Sequence, residues 1–470
     1  MSDARLSQAT TRSTPASRPP VHMTALLALL ALLAASCTTG ERAARPLDGV
    51  KHVIVIYQED WSFDGLFGKF PGANGLANAG ATTRQVDKEG RPYTTLPPSL
   101  DNSMQPPVPD ARIPASLPVA PFDLALYVPP DQKAGNPIHR FYQQQYQING
   151  GTMDGFVAWG GVGGLVMSYY DATQLPLGRL AQEFVLADNF FHAAFGGSLI
   201  NHFWLVCACT PAWPDAPADL RAQLDAGGRL VKDGELSPDG YIINTAYTVN
   251  APHPARISDP RRLVPSLTLP TIGERLTQAD VSWAWYAGGW NDALAGRPHP
   301  IFQYHHQPFA YFAPYADGMA AKARHLRDEE DFLRDLRDGR LPAVAFIKPL
   351  GPDNEHPGYA DLLSGQEHVA ALVRAVMASR YWSDAAIIIT YDENGGRWDH
   401  VPPPVVDRWG PGTRVPTIVV SPHARRRFVD HTRYDTTSIL KLIEVRWNLV
   451  PLGSRDAAAD GLLNAFDPGR

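Results

Sequence analysis

At 470 residues, with 44% hydrophobic and 19% charged residues, the chain can bury a large core. Its formal net charge of −6 argues against a nucleic-acid surface, so no nucleic-acid partner is expected. The 43 prolines, well above an ordinary share of ~5%, point to long, stiff connections.

Residues 1–37 read as an export signal. Arg5, Arg12 and Arg18 precede an apolar run over 24–35 that is too short to span a membrane. It ends in Leu33-Ala34-Ala35-Ser36-Cys37, which resembles a bacterial lipoprotein cleavage box with Cys37 as the lipidated residue, although Ala34 stands where such boxes more often carry Leu. No twin arginine precedes the run, so general secretion is expected; a start at Met23 would leave the signal without a basic region. A linker over 38–50, one large domain over 51–450 and a tail over 451–470 would follow. The expected location is the periplasm, or the outer membrane through a lipid on Cys37, with plain secretion as the fallback.

The first element is a near-continuous apolar run over 52–57, as in a parallel strand covered on both faces. It breaks into Gln58-Glu59-Asp60-Trp61-Ser62-Phe63-Asp64, an acidic pair at a strand end. Prolines recur every few residues over 91–132, which reads as a long ordered loop or lid. His139 precedes a polar stretch without a clear period. A strand is expected over 184–188, then Gly196-Gly197-Ser198 and a buried helix over 199–207. Cys207 and Cys209, one residue apart, are expected as two buried thiols and no disulfide framework. Residues 211–270 look like an insertion. Helices are expected over 271–278, 366–380 and 437–450, the last capped by Thr436 or Thr437, and strands over 281–287, 343–347 and 414–420. Strands alternating with helices imply an α/β fold, a mostly parallel central sheet with helices on both faces.

The stretch 385–404, AAIIITYDENGGRWDHVPPP, is the most telling. A β-branched run ends in Asp392 and Glu393, then two glycines, then Asp399 and His400. Side chains just past the carboxyl ends of parallel strands line the ligand crevice. If Glu59, Asp60, Asp392 and Glu393 converge, as many as four negative charges share one place, stable only around a divalent cation or with raised pKa values. Oxygen ligands favour magnesium, calcium or manganese; nearby histidines keep zinc or iron open. Ser198, between two glycines and an apolar helix, is the candidate nucleophile, with Asn201 and His202 one turn on. His139, His305, His306, His356 and His400 lie in proline-bounded loops and suit oxyanion binding or proton transfer.

Residues 58–64 are similar to the Gln-Glu-Asn-Arg-Ser-Phe-Asp signature of the phosphoesterase family of bacterial acid phosphatases and phosphatidylcholine-cleaving phospholipases C, within the alkaline phosphatase superfamily. Residues 385–404 resemble its Thr-Tyr-Asp-Glu and Asp-His-Val-Pro-Pro signature, and 354–357 its Glu-His-Pro. Phe302-Gln303-Tyr304-His305-His306-Gln307-Pro308-Phe309 resembles a segment of the acid phosphatase branch. The resemblance covers the chain from about Lys51 to Asn448 and implies an alkaline-phosphatase-like fold. It implies one divalent metal ion on Glu59, Asp60, Ser198, Asp392 and Glu393, and Ser198 as the phosphorylated nucleophile. Phosphate contacts or proton transfer would fall to His139, Asn201, His305, His306 and His356. Two residues depart from the pattern: Asp60 replaces the usual Asn, adding a negative charge, and Trp61 replaces the usual Arg, removing an anion contact. The expected activity is hydrolysis of a phosphate ester through a phosphoserine, with a monoester-cleaving acid phosphatase ahead of a phospholipase C. A non-catalytic lipoprotein capturing metal or phosphate is the third reading.

Overall fold

The structure is a computed structural model that describes residues 47–467. The expectations for the signal segment and Cys37 lie outside the described residues. No helix among the described residues is long and apolar enough to cross a membrane.

Eight strands form the central sheet: β1 His52–Gln58, β2 Val185–Ala187, β3 Trp283–Ala287, β4 Leu326–Asp328, β5 Val344–Lys348, β6 Ala385–Tyr391, β7 Thr417–Val420 and β8 Phe428–Asp430. Their order is β4-β3-β5-β1-β6-β7-β2-β8. All neighbours pair parallel except β7, which runs against both β6 and β2. Every residue of β3, β5, β6 and β7 is buried. Because successive side chains point to opposite faces, that pattern means both faces are covered. Coverage comes from helices including α1 Phe141–Ile148, α2 Pro176–Glu183, α3 Ser198–Cys207, α4 Ile272–Gln278, α5 Glu329–Asp338, α6 Leu362–Met377 and α7 Thr437–Trp447. Among them α2 packs with α6, and α3 with α7.

Register does the positioning. β1 and β6 pair from His52↔Ala385 to Gln58↔Tyr391, so Glu59 and Asp392 are the next residues past two adjacent strand ends. β5 flanks β1 on the other side, with Ile56 opposite Ile347, which brings Lys348 to the same edge.

Several local expectations are corrected. Cys207 and Cys209 form a disulfide, with Cα atoms 5.2 Å apart. The helix ends at Cys207 and Ala208 turns left-handed (φ 49°), folding the chain back far enough for the two sulfurs to meet. Thr436 is the N-cap residue of the last helix, but its side chain makes no capping bond: the carboxylate of Asp435 accepts from the Thr437 N–H at 2.7 Å. The strand expected from residue 414 starts at Thr417, Arg414 being drawn into a buried ion-pair network instead. α6 starts earlier than expected, at Leu362, because the Asp361 side chain accepts from Ser364 N and caps it. The tail is not loose, since Leu462, Ala465 and Phe466 are buried in the main core, and Leu47 and Val50 anchor the end of the expected linker there.

The proline-rich loop braces the histidine segments. Asn102 and Asn136 exchange hydrogen bonds at 2.6 and 3.0 Å, and Gly358 N donates to Ala134 O. Within the insertion, a short strand pair, Gln223–Leu224 with Leu230–Lys232, precedes the segment that approaches Ser198.

Candidate active site

All four acids converge. Glu59, Asp60, Asp392 and Glu393 are each 0% exposed, and ligand atoms of Glu59, Asp60 and Asp392 lie within 4.8 Å of one another. Asp60 is in the left-handed region (φ 67°), which Asp and Asn tolerate best among residues other than glycine. Gly395 packs so tightly on the Asp60 carbonyl that any side chain there would strike it, which explains one of the two glycines.

Ser198 opens α3. Its Oγ donates to Glu59 Oε2 at 3.2 Å. The glycines before it are dictated by close approach, since a Cβ on Gly196 would meet the Phe141 backbone nitrogen at 2.7 Å. His202 Nδ1 lies 2.7 Å from Ser198 O, and its ring stacks on His306 with centroids 5.3 Å apart. His306 Nε2 is 3.0 Å from Glu59 Oε1. On the other side, His356 Nε2 is 2.9 Å and His139 Nε2 3.6 Å from Asp60 Oδ2, and His139 Nε2 is 3.7 Å from Glu393 Oε1. His305 lines the cavity above, with Ser198, Glu59, His139 and His356.

Two residues of the site escaped the sequence reading as site members of known role. Lys348, at the end of β5, is wholly buried; its ammonium contacts Glu59 directly and stands 3.8 Å from Asp392. A lysine ending an apolar strand gives no motif, and only the strand register reveals it. His202 was visible one turn past Ser198 but had no assigned part.

Other candidates go elsewhere. Asn201 is fully buried behind the nucleophile: its Oδ1 accepts from Ala194 N at 2.9 Å and its Nδ2 donates to Ala194 O and Gly197 O, which fixes the loop leading into Ser198. Asp399 and His400 join Asp64 and Arg414 in a separate network. Trp61 donates to Glu355 O and carries the Arg397 guanidinium 3.9 Å from its ring centre.

The electrostatics follow from crowding. Burial pushes Asp392 and Glu393 well above the carboxylate range, the Glu59 and Asp60 charges adding to it. Burial would also raise Glu59, but His306 and Lys348 outweigh it and hold Glu59 well below. For His356 burial favours the neutral ring; Asp60 overrides it and raises the pKa to about 8. Burial lowers His139, His202, His305 and His306.

A divalent ion fits this donor set. Both oxygens of Asp60, Glu59 Oε1, Asp392 Oδ2, Glu393 Oε1, His202 Nε2 and His306 Nε2 are buried without an aligned hydrogen bond. Such orphans are rare in folded proteins unless something else satisfies them. Glu59 with His202 and His306, and Asp60 with His139 and His356, also meet the distance requirement for ligation. The available donors are therefore mixed nitrogen and oxygen, and they suit manganese, iron or zinc as well as magnesium.

The model of the Phosphoesterase family matches residues 50–450. Phospholipase C A of Mycobacterium tuberculosis is 26% identical over 458 residues, covering 89% of this chain and 76% of that protein. The non-hemolytic phospholipase C of Burkholderia pseudomallei is 30% identical over 226 residues, 38% of this chain and 32% of that one. Among solved structures, an alkaline phosphatase superfamily protein from Vibrio parahaemolyticus aligns at 10% identity and TM-score 0.34, covering 70% of this chain and 73% of that chain.

Proposed function

The chain belongs to the Phosphoesterase family and is a phosphoric ester hydrolase, and from that premise we propose an exported, metal-dependent phosphodiesterase of the phospholipase C type. The observation that carries the reading is Ser198, whose hydroxyl sits at a helix N-terminus, 3.2 Å from Glu59, against buried acids with unsatisfied oxygens. The phospholipase C relatives favour a diester over the monoester that the His305-His306 segment suggested. Export is supported by the Cys207–Cys209 bond, since disulfides persist mainly in oxidising compartments; the lipid anchor on Cys37 rests on the sequence alone.

Glu59, Asp392, Glu393 and Asp60 would hold the ion, with Ser198 Oγ and His202 or His306 within reach. When bound, a divalent cation supplies Lewis acidity that lowers the serine pKa and offsets the phosphate charge. With its proton released to solvent, Ser198 Oγ then attacks phosphorus in line from the place that Glu59 fixes for the hydroxyl. His356, whose Nε2 lies 2.9 Å from Asp60 Oδ2, gives its proton to the departing diacylglycerol oxygen, leaving the headgroup phosphoryl on Ser198. Neutral His356 next accepts a proton from water, which cleaves the phosphoserine and restores both groups. Lys348 keeps Glu59 ionised, and Asn201 keeps the serine loop in place.

Assays of the metal-loaded protein on a phospholipid and on p-nitrophenyl phosphate test the reading. Diacylglycerol release with little aryl phosphate turnover is expected, and the opposite ranking would return the monoester reading to first place.

A further inference from the structure

We propose that the cavity beside Ser198 selects a hydroxylated or anionic alcohol on the phosphate, of the glycerol or inositol kind, and discriminates against a quaternary ammonium headgroup. This rests on the hydrolase reading above and adds the chemistry of the group that the phosphate carries.

The cavity measures about 270 Å³. Sites for drug-sized ligands run to ~300–1,000 Å³, so this one takes a small headgroup and not acyl chains. Its floor holds the reacting groups, and its rim is Arg140, Asn244, Thr245, Tyr247, Gln303 and Tyr359.

A quaternary ammonium is recognised by open aromatic faces in a negative field. The rim offers neither. Tyr359 is stacked on His356 with centroids 4.2 Å apart. Tyr247 carries the Arg256 guanidinium 5.5 Å from its ring and meets Tyr304 edge-on at 6.1 Å. Glu59 is the one carboxylate lining the cavity, and Ser198, His306 and Lys348 already engage it. A cation entering at the rim meets the Arg140 guanidinium instead, whose charge Asp233 offsets only in part because one of its nitrogens stays free of hydrogen bonds among the described residues.

What the rim does offer is hydrogen bonding. Arg140 spends Nε on Asp233 at 2.5 Å and Nη2 on Gly234 O at 3.3 Å, while its Nη1 makes no hydrogen bond among the described residues. The Thr245 hydroxyl and the Gln303 amide are equally uncommitted there. Asn244 is not: its amide is used up on Phe141 N and Gly234 O. A cationic donor, a hydroxyl and an amide around one opening match adjacent hydroxyls or a second negative charge.

Two measurements test this. The first is calorimetric binding of sn-glycerol 3-phosphate and of phosphocholine to the metal-loaded Ser198→Ala protein. The second is hydrolysis of phosphatidylglycerol and phosphatidylcholine with matched acyl chains by the unmodified protein. The glycerol compounds should lead by about tenfold or more in Kd and in kcat/KM, the discrimination expected of a rim that bonds substrate hydroxyls. Thr245→Val and Gln303→Leu should each narrow the lead by about fivefold, one hydrogen bond's worth. A lead confined to the free esters assigns soluble phosphate esters as the ligand; one shared by the lipids assigns lipid headgroups. Choline compounds that equal or beat glycerol compounds, or a ratio that neither substitution moves, would overturn the proposal. If no ester is hydrolysed while Ser198→Ala still prefers glycerol phosphate, the hydrolase reading fails and the rim chemistry stands.

Discussion

Two buried charge clusters grow from the same pair of loops, and only one is at rest. Asp64 and Asp399, a few residues beyond Glu59 and Asp392, close around Arg414, which reaches Asp399 at 2.9 and 3.1 Å, Asp64 at 3.2 Å, and the carbonyls of Asn74 and Asp188. Asp64 also accepts from the backbone and ring of His400 at 2.7 and 2.6 Å. None of these four side chains leaves a buried polar atom unbonded, whereas all four acids at Ser198 do. Both clusters combine carboxylates with histidine, and either would pass for a metal site on residue type alone. The completeness of hydrogen bonding separates the clamp that ties the two loops together from the site that waits for a ligand.

Substitutions should split the clusters cleanly. Ser198→Ala should lower kcat by about 1,000-fold or more and leave the melting temperature nearly unchanged, read by phospholipid turnover and thermal denaturation. Arg414→Met should do the reverse. It strands two buried carboxylates and should cost about 3–5 kcal/mol in urea denaturation, with activity per folded molecule largely kept. Asp392→Asn should weaken metal binding by about 100-fold or more in a competition titration. In metal-free protein it should leave stability equal or raise it by up to about 2 kcal/mol, because burial and the neighbouring Glu59 disfavour the charged carboxylate more than Lys348 supports it. Asp399→Asn in the clamp should lower stability under the same conditions, and a matching loss for both would erase the distinction.

The smallest effect is in pH. His356 is raised to about 8, so the stability it lends is complete below the ordinary imidazole value near 6.5 and is lost as pH rises through 8. Burial raises the Glu355 and Glu444 carboxyls to about 8, so each increasingly opposes folding above its ordinary value and up to 8. Below about pH 6.5 the buried histidines with lowered pKa values work in the opposite direction, since protonating them destabilises the fold. Metal-free protein should therefore lose stability between about pH 7 and 9, and Glu355→Gln should flatten that fall, as followed by melting temperature against pH.

Much of this was legible in the sequence. Apolar runs ending in acids marked β1 and β6, and parallel pairing of such runs puts their ends together, so Glu59, Asp60, Asp392 and Glu393 could be read as one site. The two glycines before an apolar helix marked Ser198. What stayed hidden depends on register or on three-dimensional pairing. Lys348 looks like the end of a core strand until β5 is set beside β1. Arg414 looks like the start of a strand until its partners appear. The Cys207–Cys209 bond needs the left-handed turn at Ala208, which an alanine does not advertise. The antiparallel β7 carries no local signal either.

The most direct measurement is an anomalous-scattering map from crystals of the metal-loaded protein. An ion is expected among the Glu59 and Asp392 carboxylates, within about 2.0–2.6 Å of their oxygens and beside Ser198 Oγ. Fully active protein with no ion in that place, or with its ion held by Asp64, Asp399 and His400 instead, would contradict it.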